Sequence, residues 1–84
     1  MKYKIEIAPL TDYYVVAVKD KETLELKEAF TLNESGVDML RLFCQDKDVE
    51  EVAREISIIY EAPIDVVTID VKKLADNLKR KGII

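Results

Sequence analysis

Enzymatic chemistry needs side chains that can move protons, attack carbon or hold a metal, and this 84-residue chain offers few of them. It has no histidine, which removes the commonest general base and the commonest nitrogen ligand. Its one cysteine, Cys44, cannot build a thiolate metal site without partners, and as a nucleophile it would need some other base. Cys44 also falls at helical spacing with Val37 and Leu40, which predicts a small buried apolar residue rather than a reactive thiol. The two glycines, Gly36 and Gly82, are far apart and form no phosphate-cradling loop. Seventeen carboxylates remain. Asp46, Asp48, Glu50, Glu51 and Glu55 fall on the polar sides of predicted helices or in loops, as a solvated surface requires. Glu28 is the exception, because it interrupts an alternating apolar strand where an edge needs a charge against aggregation. No catalytic residue, metal site or cofactor site is expected, and the chain reads as a non-enzyme.

The elements that carry these residues follow from one change of period. Up to residue 32 apolar residues recur every two positions. Tyr3, Ile5 and Ile7 alternate with Lys2, Lys4 and Glu6, as in a strand with one wet face. Pro9 to Asp12 makes a turn, and Tyr13 to Val18 is apolar on both faces, as in a central strand. After the polar loop 19–23, Leu24, Leu26 and Phe30 alternate with Glu25, Lys27 and Ala29 in a third, edge strand. The period then becomes helical. Thr31 with Glu34, or Asn33 alone, can cap a first helix whose inward stripe is Val37, Leu40 and Cys44 with Met39 and Phe43. Asp48 and Glu51 cap a second, in which Val49, Val52, Ala53, Ile56 and Tyr60 recur. Pro63 and Asp65 open a third along Val67, Val71, Leu74 and Leu78, with Lys79, Arg80 and Lys81 in its last turn and Gly82 as its stop. The reading is an α+β fold in one domain over residues 1–84, a three-stranded antiparallel sheet followed by a three-helix bundle.

Bulk properties narrow the partners. The net charge of −4 opposes general attraction to nucleic acid or anionic lipid. There is no apolar run of a signal peptide and no stretch near the roughly 18 apolar residues of a membrane span, so a cytoplasmic location is expected. Charge is unevenly placed: residues 1–65 hold 8 basic and 15 acidic side chains, whereas residues 66–84 hold 5 basic and 2 acidic.

The second half carries a resemblance. Leu32-Asn33-Glu34-Ser35-Gly36 leads into an apolar helix, the capped Val49-Glu50-Glu51-Val52-Ala53 helix ends at Tyr60, and Asp70-Val71, Leu74-Ala75, Leu78 and Gly82-Ile83-Ile84 close the chain. In order and spacing, over about residues 24 to 84, this resembles the PqqD family, named for a protein of pyrroloquinoline quinone biosynthesis. Gly36 stands where a small helix former is usual, a difference worth roughly 0.5–1 kcal/mol against alanine. The resemblance implies a winged-helix-like peptide recognition element of ribosomal-peptide modification systems. Such a module binds the leader segment of a precursor peptide and presents it to a modifying enzyme, often a radical S-adenosylmethionine protein. The leader adds as a strand to the third strand and packs against the third helix.

The residues suit that role. Leu24, Leu26, Lys27 and Glu28 lie on the expected edge, which can gain backbone hydrogen bonds from an added strand. The third helix begins unusually apolar, so that part of Val66, Val67 and Ile69 is expected to face a groove. Lys73 and Arg80 are expected on its exposed side, where dipole complementation explains much of the basic cluster and attraction of an acidic leader is the sharper alternative. The competing readings are a winged-helix DNA binder that reads with its third helix, and a regulatory module or homodimer formed through the free edge.

Overall fold

A computed structural model describes residues 3–84; Lys2, expected on the wet side of the first strand, lies outside the described residues. Three strands, β1 (Tyr3–Pro9), β2 (Tyr14–Asp20) and β3 (Leu26–Leu32), precede three helices, α1 (Glu34–Phe43), α2 (Val49–Tyr60) and α3 (Ile64–Arg80). The described residues form two compact units that divide between Val37 and Asp38.

In the first unit the sheet order is β1-β2-β3, with both pairings antiparallel. β2 is central, as its two apolar faces require: Val16 and Val18 are buried, and Val15 and Ala17 are half-buried. It also runs further than the sequence pattern implies. Lys19, expected in a loop, stays in the strand and pairs with Glu6 at 2.7 Å. Asp20 then turns the chain, its Oδ1 accepting the backbone N–H of Glu22 at 2.8 Å and of Thr23 at 2.9 Å. Those two bonds hold the Asp20 carboxyl below the ordinary carboxylate range.

β3 departs from the expected pattern. Val18 stands opposite Glu28, but Lys19 stands opposite Leu26, so Lys27 is the extra residue of a bulge. Because side chains alternate with period two, one extra residue sends everything beyond it to the other face. The half-buried set is therefore Glu28, Phe30 and Leu32, while Leu26 is exposed. Leu24 is not in the strand at all. It sits in the preceding turn with φ 62 and is exposed, a left-handed conformation that a non-glycine residue adopts at a cost of about 1–2 kcal/mol. The interruption read at Glu28 is thus part of the half-buried face, and the two leucines before it are not.

Asn33, rather than Thr31, caps α1: its Oδ1 accepts the Gly36 N–H at 2.8 Å and the Ser35 hydroxyl at 3.2 Å. A Cβ at position 36 would stand 3.0 Å from that same oxygen and 3.2 Å from the Leu32 Cβ. The glycine lets the cap close, which offsets its poor helix propensity.

Within the second unit α2 packs on α3. Val52, Ala53 and Ile56 are buried on one helix and Val67, Val71, Leu74, Ala75 and Leu78 on the other. Asp48 and Glu51 form the reciprocal capping box expected at the start of α2. The end of α3 is a Schellman turn. Gly82, at φ 74, donates its N–H to the Lys79 carbonyl and Ile83 to that of Leu78, which leaves Ile83 buried.

Cys44 is a correction. It is exposed, not buried. α1 stops at Phe43, and its buried face centres on Met39, Leu40 and Phe43, about a quarter of a turn away from Cys44 at 3.6 residues per turn. The surrounding chain still removes enough water to raise the thiol above its ordinary value, so little thiolate forms at neutral pH.

Candidate functional site

The sheet presents one candidate surface. β3 is an outer strand; β2 pairs with one side of it, and no strand among the described residues lies on the other. Backbone groups along such an edge can accept an added strand with little demand on sequence. Of the residues expected there, Leu26, Lys27 and Glu28 lie on β3 and Leu24 lies in the turn before it. Lys27 is exposed and sits 3.8 Å from Glu25, too loose a pair to hold it in place. Charge on a bulged edge also discourages pairing with the wrong strand.

α3 presents a second surface, set by its helical period. Val67 is 5% exposed and aligns with Val71, Leu74 and Leu78, so it belongs to the core and not to the outward face. Val66 and Ile69, in contrast, are 53% and 57% exposed. Lys73 and Arg80 continue the same outward stripe, since residues spaced by three, four and seven share one side of a helix. The stripe is apolar in its first two turns and basic in its last two. Its basic half holds a shallow, open depression lined by Lys73, Asp76, Asn77, Lys79 and Arg80. The Arg80 guanidinium donates to the Asn77 side-chain oxygen.

Two exposed apolar residues of α2 escaped the sequence reading, Ile58 and Ile59, at 72% and 58% exposure, while Ile64, at 49%, belongs to the apolar start of α3. The signal was present for Ile58, which lies opposite the Val52–Ile56 face by helical spacing. At the end of α2 the Tyr60 hydroxyl donates to the Asp38 carboxylate, so Tyr60 is a surface tie and not part of the buried stripe. Among the described residues no group of three or more side chains is placed to hold a metal. No helix among the described residues is long and apolar enough to cross a membrane.

Three antiparallel strands followed by three helices define an α+β protein of the class expected from the sequence. Residues 16–84 match the family model of coenzyme PQQ synthesis protein D, and the chain belongs to that PqqD family. The match starts upstream of the segment that carried the resemblance and takes in most of β2. The fold is that of the solved structure of TbiB1 in complex with the TbiA(beta) leader peptide. The two agree with a TM-score of 0.66 at 22% identity, over 99% of this chain and 93% of that one. No curated protein matches the sequence.

Proposed function

We propose that this protein is a non-catalytic module that recognises the leader segment of a ribosomally made precursor peptide and presents it to a modifying enzyme. The observation that carries the reading is the outer side of β3, which bears no strand among the described residues. Membership of the PqqD family supports it, as does a fold shared with a protein solved together with a leader peptide. Two surfaces are assigned. The outer edge of β3, from Leu26 through Glu28 onward, takes peptide backbone by strand addition. The outward stripe of α3, with Val66, Ile69, Lys73 and Arg80, takes peptide side chains. The modifying enzyme is of the radical S-adenosylmethionine kind or another that acts on ribosomal peptides, and the module works in the cytoplasm.

Hydrogen exchange with a candidate leader peptide tests this. Amide protons of β3 should slow on peptide addition while those of β1, the other outer strand, stay unchanged. Protection confined to β1 would place the site on the wrong edge. Slowing of β3 amides with rising protein concentration, and no peptide present, would favour a homodimer through that edge.

A further inference from the structure

The outward stripe of α3 changes character along its length. Val66 and Ile69 are exposed apolar residues with no polar function of their own. Lys73 and Arg80 follow on the same line, beside Lys72 and Lys79. One acidic residue, Asp76, stands among them, so the half remains net positive. The depression there is open, and the Arg80 guanidinium at its rim donates to the Asn77 side-chain oxygen. A planar guanidinium suits a carboxylate, which it can meet with two parallel N–H bonds. A polyphosphate backbone suits the place less, because Asp76 would face a row of anionic oxygens.

Distances along the helix translate this pattern into a peptide sequence. At 1.5 Å per residue, Ile69 and Lys73 are about 6 Å apart along the axis and Ile69 and Arg80 about 16 Å. An extended peptide advances about 3.3 Å per residue, so those spans correspond to about two and five residues. We propose that α3 reads a bipartite motif: an apolar pair on the peptide, separated by about two to five residues from one or more Asp or Glu. The inference rests on the peptide-binding reading and adds the chemistry of the ligand and its order. Val66 and Ile69 select the apolar part; Lys73 and Arg80 select the acidic part.

A displayed library of random twelve-residue peptides, selected on the intact protein, tests both parts. Peptides enriched on the wild type should combine apolar residues with Asp or Glu at the stated separation. On the double variant Lys73→Glu/Arg80→Glu the acidic preference should vanish or invert to Lys and Arg while the apolar preference stays. On Val66→Ser/Ile69→Ser the apolar preference should fade instead. A synthetic copy of an enriched peptide should bind the charge-reversed variant about tenfold more weakly at low salt. The gap should narrow as salt rises, because exposed charges are screened within about 8 Å at physiological ionic strength. Both positions are exposed, so the melting temperature should hardly move. Enrichment without acidic residues, an unchanged preference on the reversed variant, or displacement of the peptide by duplex DNA would overturn the proposal. An enriched peptide that slows β3 amides yet ignores charge reversal would sink the bipartite motif and leave strand addition standing. No enrichment on the wild type would remove both.

Discussion

The helices α2 and α3 have the same kind of inward face and quite different outward ones. Val52, Ala53 and Ile56 on α2 meet a demand for apolar volume that Val67, Val71, Leu74, Ala75 and Leu78 meet on α3. Outside, α2 carries the charged Glu50, Glu51 and Arg54 first and the exposed Ile58 and Ile59 in its last turn, with no basic residue in that turn. α3 carries Val66 and Ile69 and then a basic half, a sequence of groups that solubility does not call for. The inward faces explain why the unit folds. The outward faces differ in order, charged then apolar on α2 and apolar then basic on α3, and it is the second order that the proposed peptide motif matches.

The comparison can be broken most directly by truncation. Ile56→Ala and Leu78→Ala should each destabilise by about 2–5 kcal/mol, because both side chains are fully buried. Ile69→Ala, although it also removes a large apolar side chain, should stay within about 0.5 kcal/mol. Urea unfolding midpoints decide it, and an Ile69 effect as large as that of Leu78 would put both faces of α3 in the core.

The helix ends sharpen the contrast with smaller effects. Both α2 and α3 are followed by a left-handed residue, Glu61 at φ 50 and Gly82 at φ 74. Gly82→Ala should cost about 1–2 kcal/mol from backbone conformation alone, since its Cβ would meet nothing within 4 Å. Glu61→Gly should go the other way, a gain of about 0.5–1 kcal/mol in thermal unfolding. At the start of α1, Gly36→Ala should fail to deliver the roughly 0.5–1 kcal/mol that helix propensity promises, because the new methyl crowds the Asn33 cap. A clear rise in melting temperature would show that the cap relaxes freely.

The smallest effect lies outside the helices and depends on pH. The folded Asp20 carboxyl sits below its ordinary value, held there by the Thr23 and Glu22 N–H groups. Its contribution is therefore present above the unfolded pKa and is lost as pH falls through the folded one. The Glu22 and Thr23 amide resonances should shift in that acid range, and Asp20→Asn should abolish the shift.

Much of this architecture was legible in the sequence because it depends on period and on caps. The Val67–Val71–Leu74–Leu78 stripe, the Asp48–Glu51 box and the Gly82 stop are local signals, and each formed where it was expected. What could not be read was where a period slips. Nothing in Leu24 to Phe30 announces that Lys27 is an extra residue, because a bulge is decided by the partner strand. The misplacement of Leu26 follows from that single slip, and that of Leu24 from the turn before the strand, which runs on to Glu25. Cys44 was misread for a related reason: spacing assigns a face only while the helix continues, and α1 ended one residue earlier. Val67 shows the remaining limit. An apolar run at a helix start does not say which members turn inward until the stripe below it is followed, and that stripe takes Val67 and leaves Val66 and Ile69 outside.

The bulge at Lys27 also acts as punctuation. From Glu28 to Leu32 the strand keeps one reading frame, with alternate residues assigned to opposite faces; at Leu26 the frame has shifted by one. A guest strand with a regular alternation can stay in phase with β3 on one side of that mark only. To continue past it, the guest must carry a compensating irregularity of its own. The edge thus limits the length of uninterrupted pattern it can accept to about five residues, 28 to 32. A long, uniformly alternating strand, the kind that propagates from chain to chain, falls out of step at Lys27.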